Sequence, residues 1–497
     1  MSEYVAIAII IGWLALTAGV GALMSYRYRK AGAEAWFVAG RKYGILILWL
    51  SLGANIYSAY TFLGLPGYTV KYGAKVLAIL LYGQLSYIFA FLITPKLWEV
   101  AKERGYVTIS DFFEDRYGSK ALGALTAVIG AIFSAVYIVL QIKGIGIILD
   151  AAAYGMLDPL TAKVIAFALV AAFTVVGGMM SVAMINALQG AIMLAAIWGI
   201  GALVPIMHYG SWGGAFQALA TTKPELLTLS EEGALLSSTI LLASSLGFWM
   251  WPNRIHGVFV AKDSRTVRKN AVALSIFQIS QIPIIMAGVT AAAMFYSGKL
   301  SLPNTDYALM SVVKATFPPW VVGVLGAGAV AAAISTAAAL LHSSGSLVAR
   351  NAFQRVFRPE SGEKALVAVA RAVTAIIAVV ALYIALTSPE IIVSLLLTGY
   401  AGVTQFFPGV VLGLWWKKAN KKAVLAGLII GTIAAAATRI NAVIPNPLPI
   451  GPSQIVLTKD FMGIYGGFWG LIFNFPIAVI GSLIASREKR KRRKRRK

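Results

Sequence analysis

Long apolar runs recur from one end of the chain to the other, and short polar segments separate them. Each run contains about 20 residues, which as a helix can cross a hydrocarbon layer of roughly 30 Å. The pattern predicts an all-α polytopic membrane protein with thirteen transmembrane helices. The predicted spans are 4–25, 45–70, 76–98, 121–149, 160–181, 186–207, 234–255, 271–297, 319–348, 364–387, 390–416, 420–440 and 463–486.

Composition agrees with the membrane interpretation and excludes several kinds of chemistry. Of 497 residues, 59% are hydrophobic and only 12% are charged, which is too few charges for a soluble domain of this length. The chain has no cysteine, and its three histidines (His208, His256 and His342) are scattered, so we expect no disulfide and no Cys or His metal site. No span contains a paired Asp or a Ser beside a plausible base, so we expect no enzyme, and no organic cofactor. A channel would need a repeated filter or rings of charge, and the chain has neither.

Basic residues occur in alternate loops. They follow spans 1, 3, 7, 9 and 11 and fill the tail 487–497, whereas Asp150, Glu231 and Asp306 lie in the opposite loops. The positive-inside rule then puts the N-terminus outside the cell membrane and the C-terminus in the cytoplasm. The net charge of +24 could also indicate nucleic acid. We expect the tail to lie near anionic lipid instead, and no nucleic-acid partner.

The predicted spans fall into two groups of five. Residues 1–44 would hold the first helix and a basic inner loop, 45–207 would hold spans 2–6, and 208–416 would hold spans 7–11. Two peripheral helices over 417–486 and the basic tail 487–497 would complete the chain. Because five is odd, the second group runs in the opposite sense to the first, as in an inverted-topology repeat.

Two spans contain unusual polar segments. Small and polar residues crowd the middle of span 2, and Pro66 lies in its second half, which indicates either a helix broken in the membrane or a close-packed interface. Span 9 places Ser335 beside Thr336 among Ala and Gly residues. These hydroxyls could join freed carbonyls in a neutral cage for a monovalent cation, or each could bond back to its own helix.

In these segments the chain resembles the sodium/solute symporter family, whose members include proline, pantothenate, sugar and monocarboxylate permeases with a LeuT-like core. The resemblance extends over nearly the whole chain, and it implies a sodium site formed by two hydroxyls and by carbonyls of a broken helix. The matching segments are 37–41, 64–67, 106–112, 116–118, 177–179, 186–189 and 335–336, with 343–344 behind them. The implied ligands are the carbonyls of Ala54, Tyr57 and Ala332 and the hydroxyls of Ser335 and Thr336.

The chain also departs from the family pattern. Many members have an acid where this chain has Asn186, and the ninth inner loop has Asn351 in place of an acid. Proline permeases carry an acid at the position of Ile56, and monocarboxylate permeases carry one near Asn55. Since the acid at the Asn186 position is linked to a second sodium in some members, its absence implies one sodium per transport cycle.

The solute is expected near the midplane, between broken span 2 and spans 3, 4, 7 and 11. The candidate contacts, each of which could instead serve helix packing, are Asn55, Ser58, Tyr60, Gln84, Tyr137, Phe248, Trp249 and Gln405. Lys143 lies inside span 4 and either snorkels to the headgroups or attracts a substrate carboxylate.

The resemblance implies sodium-coupled symport of a small organic solute by alternating access. Residues 56–62 and 317–320 resemble monocarboxylate permeases, and 65–67 resemble the proline and pantothenate branches. We therefore expect a small monocarboxylate, with proline, another amino acid or pantothenate as the alternative. A proton-coupled transporter of the same fold is the other alternative, although it would need a titrating group in a core that has few carboxylates.

Overall fold

The computed structural model of the protein describes residues 4–28, 37–389, 391–439, 442–445, 454–457 and 460–495, so Arg29, Lys30 and the last two tail residues lie outside it. The described chain is almost entirely helical. Its first ten helices are α1 (Tyr4–Tyr28), α2 (Ile45–Ile56), α3 (Leu65–Tyr72), α4 (Val76–Arg104), α5 (Ile109–Tyr117), α6 (Lys120–Ala152), α7 (Pro159–Ala196), α8 (Leu203–Tyr209), α9 (Trp212–Thr222) and α10 (Glu231–Gly247). The others are α11 (Pro252–Phe259), α12 (Ser264–Ile279), α13 (Ile282–Tyr296), α14 (Ala308–Thr316), α15 (Pro319–Leu347), α16 (Glu363–Thr387), α17 (Ile392–Val403), α18 (Phe406–Trp415), α19 (Lys421–Ala437) and α20 (Gly466–Arg495).

Short elements connect these helices. Single turns of 3-10 or π-helix occur at Ala39–Arg41, Tyr60–Gly64, Gly73–Lys75, Ile197–Gly201, Pro224–Leu227, Phe248–Met250, Thr305–Tyr307 and Phe461–Gly463, and a longer π-helical segment spans Val348–Phe357. Between α19 and α20, strand β1 (Ala442–Pro445) pairs with the antiparallel strand β2 (Gln454–Leu457). The sequence pattern did not predict this pair of strands.

The described residues contain ten helical segments that are long and apolar enough to cross a membrane, which confirms a multi-pass membrane protein. The count of thirteen is not confirmed. Predicted spans 5 and 6 form the single helix α7, which continues through a π-turn into α8. The junction that was expected to be a turn contains no proline, and its Ala and Met residues favour helix.

Helix α15 lies at the centre of the bundle. It packs against α1, α2, α6, α7, α11 and α16, and nearly all of its residues are buried inside the protein. Its small residues make this possible: a Cβ at Gly323 would lie only 2.9 Å from the Cα of Ala6 in α1. The two predicted hydroxyls therefore lie in the most enclosed part of the molecule.

Among the described residues, spans 8 and 11 are each divided by a short turn, whereas spans 2 and 7, the first spans of the two groups of five, are each interrupted by extended backbone. Span 2 stops at Ile56, where Tyr57 turns to extended backbone at φ −75° and ψ 141°. Span 7 stops after the turn Phe248–Met250, where Trp251 is extended at φ −63° and ψ 127° because Pro252 follows it. The first interruption was predicted, and the second was not.

Candidate cation and solute site

The interruption of span 2 redistributes backbone hydrogen bonds. The amide of Ala59 donates to Oε1 of the buried Gln141 at 3.0 Å, and the amide of Tyr60 donates to Oγ of Ser58 at 3.2 Å. The amide of Ser58 points to Oγ1 of Thr61 at 3.4 Å. These N–H groups no longer bond to carbonyls one turn earlier, so carbonyls at the end of α2 are free to accept other partners.

The freed carbonyls face two hydroxyls of α15. Oγ of Ser335 lies 3.0 Å from the Ala54 carbonyl and 2.9 Å from the Ala332 carbonyl. Oγ1 of Thr336 lies 2.6 Å from the Tyr57 carbonyl and 3.3 Å from that of Asn55. The structure thus brings all five sequence-predicted oxygens together, although Ser335 also reaches back to its own helix at Ala332.

These oxygens form a neutral and buried group, called the oxygen cluster below. Ala54, Tyr57, Ala332 and Thr336 are fully buried, and Ser335 is 1% exposed. Each hydroxyl has one hydrogen and can satisfy only one of its two carbonyls, so the cluster has more acceptors than donors. Such a set of oxygens suits a hard monovalent cation.

The two interruptions are tied to each other by a pair of amides. Nδ2 of Asn253 in α11 donates to Oδ1 of Asn55 at 2.7 Å, and Nδ2 of Asn55 lies 3.3 Å from the Asn253 carbonyl. Asn55 was predicted to contact solute. In this structure its side chain instead joins the end of α2 to the start of α11.

Five aromatic side chains, called the aromatic cage below, lie beside this pair. They are Tyr82, Tyr137, Phe248, Trp251 and Tyr400. Ring centroids are 4.8 Å apart for Tyr137 and Trp251, 5.3 Å for Trp251 and Tyr400, and 5.4 Å for Tyr82 and Tyr400. The predicted residues Tyr137 and Phe248 belong to this cage, and Trp249 packs against Phe248 at 5.7 Å.

The cage surrounds a buried arginine, Arg254, that the sequence analysis missed. Its Nη1 donates to the Phe248 carbonyl at 2.7 Å and to the Tyr400 hydroxyl at 3.0 Å. The guanidinium carbon lies 3.8 Å from the centroid of the Phe248 ring. The signal was present, because Arg254 falls inside predicted span 7, and an arginine within a span indicates a functional residue.

Of the other predicted contacts, two lie next to the cage or the break. Ser58 accepts a hydrogen bond from the Tyr137 hydroxyl at 3.2 Å, and buried Tyr60 begins the π-turn that leads into α3. Pro66 explains the π-turn, since its ring would clash with the carbonyl four residues earlier in a regular helix.

Gln84 and Gln405 are not brought into this group. The amide of Gln84 is half-buried and points to the Ser275 carbonyl of α12 at 3.4 Å. Gln405 faces α20, where its Nε2 donates to the Gly467 carbonyl at 3.1 Å and its Oε1 accepts from Asn474 at 3.2 Å. Both positions were chosen for hydrogen-bonding power, which does not tell which way a helix faces.

Lys143 is half-buried, and its Nζ donates to the Ser388 carbonyl at the end of α16 at 3.0 Å. Its charge also acts on Asp306, which lies in the loop before α14. Burial raises the pKa of the Asp306 carboxyl to about 6, and the amide of Ile392 and the charge of Lys143 oppose that rise. Lys143 therefore interacts with the Ser388 carbonyl and with the loop residue Asp306.

A second polar network lies where α5 meets the segment after α15. Nε of Arg350 lies 2.9 Å from both carboxylate oxygens of Asp111, and Nδ2 of Asn351 donates to Oδ1 of Asp111 at 2.8 Å. The Thr108 hydroxyl donates to Oδ1 of Asn351 at 2.7 Å. The network ties α5 to the helix that carries Ser335 and Thr336.

The enclosed helices, the two interrupted spans and the central polar group define a multi-pass membrane transporter. The chain belongs to the sodium:solute symporter family, whose sequence model matches residues 36–431. The family resemblance found in the sequence is therefore confirmed, as is the expectation of a transporter and not an enzyme.

Three individual proteins illustrate the match. The uncharacterized symporter YhjB of Bacillus subtilis (strain 168) is 31% identical, over 97% of this chain and 98% of its own length. A monocarboxylate transport permease protein of Rhizobium johnstonii is 28% identical over 86% of this chain and 87% of its own. The solved structure of a Na+-coupled sialic acid symporter, in a substrate-bound outward-open state, gives a TM-score of 0.76. That match covers 97% of this chain and 98% of the symporter at 17% identity, so it shows a shared fold.

Proposed function

We propose that this protein is a sodium-coupled symporter of a small monocarboxylate that works by alternating access. The observation that carries the proposal is the oxygen cluster, in which Ser335 and Thr336 of α15 lie within 3.3 Å of the carbonyls freed from α2. Family membership and similarity to a monocarboxylate permease support the same conclusion.

In the proposed mechanism, sodium bound in the oxygen cluster bridges the end of α2 and the middle of α15. The bridge favours the outward-open state, in which solute enters. Ion and solute stabilise overlapping conformations, so each raises the affinity of the protein for the other by the same factor. Loss of sodium on the cytoplasmic side would then release the bridge and the solute, at one sodium per cycle.

Proline, another amino acid or pantothenate remains the second candidate class, and proton coupling is the competing mechanism. The five residues of the oxygen cluster include no carboxylate or histidine, which favours sodium over a proton. The described residues also contain no group of three or more His, Cys, Asp or Glu that could hold a metal ion.

The finer architecture is part of the proposal. We propose a LeuT-like arrangement of two inverted sets, spans 2–6 and 7–11. Thirteen membrane crossings would require the chain to reverse between spans 5 and 6, where this structure has the continuous helix α7. The interruptions after Ile56 and at Trp251 support it, since each falls in the first span of its set. The N-terminus would lie outside, and the basic tail would lie in the cytoplasm near anionic lipid.

The sodium site can be tested without knowledge of the solute. We expect purified wild-type protein to have a higher melting temperature in NaCl than in KCl of equal ionic strength, because a bound ion stabilises the folded state. The double variant Ser335→Ala, Thr336→Ala should lose this difference, and it should also lose sodium-driven uptake of pyruvate, lactate or propionate into proteoliposomes.

A matched control is Ser86→Ala, Thr94→Ala. These residues are also one buried serine and one buried threonine, and their hydroxyls bond to carbonyls of their own helix α4. The control should keep the sodium-dependent shift. Full sodium dependence in the Ser335→Ala, Thr336→Ala variant would reject the site, and uptake driven by a proton gradient alone would reject sodium coupling.

A further inference from the structure

We propose that Arg254 binds the carboxylate of the transported solute through its unpaired Nε, with the aromatic cage around the rest of the molecule. The inference rests on the proposed symport function and deepens it, because it assigns the residue that selects an anion. Under this proposal Arg254, and not Lys143, attracts the substrate carboxylate.

The first argument is charge. Arg254 is 2% exposed and has no acidic side chain within ion-pair distance among the described residues. A buried and uncompensated charge costs several kcal/mol, and the usual solution in proteins is a nearby opposite charge. Carbonyl and ring contacts offset part of this cost but leave a net positive charge inside the bundle. An anionic ligand would neutralise it.

The second argument is geometry. Both hydrogen bonds given above are made by Nη1, whereas Nε is buried and has no hydrogen-bond partner. The guanidinium presents parallel N–H donors along each edge, and a carboxylate binds such an edge with two hydrogen bonds. The contacts with Phe248 and Tyr400 hold Nη1 in place, and the Tyr137 hydroxyl also interacts with the guanidinium. Nε is the nitrogen left to receive a ligand.

The third argument concerns the class of anion. The five side chains of the cage are aromatic, and none of them is acidic. An amino acid substrate would also bring an ammonium group, which is normally matched by a carboxylate or by several acceptors. A small monocarboxylate with an apolar body fits this surface better than a zwitterion does.

The fourth argument is the connection to the cation. Arg254 follows Asn253, which is bonded to Asn55, and the Asn55 carbonyl lies 3.3 Å from the Thr336 hydroxyl. Only two residues thus separate the anion-binding group from the oxygen cluster. Cation and carboxylate would bind at the two ends of this short connection.

Lys143 provides the natural alternative, and its position argues against it. Its ammonium is directed to the carbonyl of Ser388 at the end of α16. Lys143→Gln is therefore a useful control, because it removes a cation from a membrane helix without changing the cage.

The test compares Arg254→Gln, which removes the charge, and Arg254→Lys, which keeps the charge but loses the planar fork. Sodium-driven uptake of pyruvate and propionate is measured in proteoliposomes, with L-proline as the zwitterionic probe. We expect the KM for pyruvate to rise on the order of 10- to 100-fold in Arg254→Gln, less in Arg254→Lys, and little in Lys143→Gln. The stabilisation by NaCl without solute should persist in all three.

The outcomes separate the inference from the function on which it rests. A wild-type protein without sodium-dependent uptake or stabilisation would reject the symport proposal. Intact sodium-driven uptake with an unchanged KM for pyruvate in Arg254→Gln would overturn the role of Arg254 alone, and wild-type preference for proline would overturn the monocarboxylate class. If neither Arg254 variant folds, Tyr400→Phe decides, because loss of the hydroxyl that orients the guanidinium must raise the KM several-fold. An unchanged KM in folded Tyr400→Phe would then count against the inference.

Discussion

The buried side-chain amide of Gln141 helps to keep backbone carbonyls at the end of α2 free of helical hydrogen bonds. Gln141 in α6 accepts the hydrogen bond of the Ala59 amide at 3.0 Å, and its Nε2 lies 3.4 Å from the Tyr137 carbonyl of its own helix. The Ala59 amide would otherwise bond to the Asn55 carbonyl in a continuous helix. Gln141 thus supplies the partner that lets this carbonyl face Thr336.

We predict that Gln141→Leu destabilises the protein, because it leaves a buried N–H without an acceptor. The expected loss is about 1–3 kcal/mol, seen as a lower melting temperature in detergent. The matched control is Gln84→Leu, whose amide is half-buried and makes only a 3.4 Å contact. Equal melting temperatures for the two variants would contradict the role of Gln141.

For single residues, the sequence predicted a site where the residue types themselves are unusual in a membrane helix. It failed where the role of a side chain depends on which way its helix faces. Adjacent hydroxyls in an Ala-rich span, together with the family pattern, led to Ser335 and Thr336. Gln84 and Gln405 have the right chemistry, but their helices turn them toward other partners. Arg254 was overlooked although it lies inside predicted span 7, one residue before its predicted end.

Among the helices, the inner network around Asp111 connects two elements that are far apart in sequence. Asp111 caps α5 by accepting the amides of Val107 and Thr108, and it also accepts from Arg350 and Asn351 after α15. Because α15 carries the proposed sodium ligands, a movement of that helix must strain this network.

We predict that Asn351→Asp lowers the melting temperature, since it faces a second carboxylate toward Asp111 across 2.8 Å. The loss in the free energy of unfolding should be smaller than the ~3–5 kcal/mol typical of an uncompensated buried charge. The reason is that Arg350 offsets part of the repulsion. The exchanged double variant Asp111→Asn, Asn351→Asp should regain part of the loss. Additive losses in a double-mutant cycle would show that the two side chains do not interact.

Sequence features predicted some helix boundaries better than others. The concentration of small and polar residues in span 2 indicated the first interruption. The Trp251–Pro252 pair could have indicated the second one in span 7, but it was not interpreted in this way. Hydropathy could not distinguish one long helix from two short ones over 159–196, because both alternatives are equally apolar.

For the whole molecule, the distribution of basic residues predicts on which side of the membrane each loop lies, and labelling can test this prediction. The absence of cysteine makes the natural chain a ready background for single-cysteine labelling. Thr228 lies between α9 and α10 and Glu360 lies before α16, and both are exposed.

We predict that a membrane-impermeant maleimide applied to intact cells labels Thr228→Cys and not Glu360→Cys. After the cells are permeabilised, both variants should react, which controls for access to the thiol. The reverse pattern in intact cells would invert the proposed topology, and labelling of both would mean that the count of crossings between them is wrong.

The reciprocal amide bonds between Asn55 and Asn253 join two chain interruptions that lie 198 positions apart in the sequence. Because of these bonds, the end of α2 and the start of α11 should move together. Attempts to change the solute specificity of this protein should therefore vary residues 53–61 and 248–256 together. A library confined to one segment would leave the bonded partner segment unchanged.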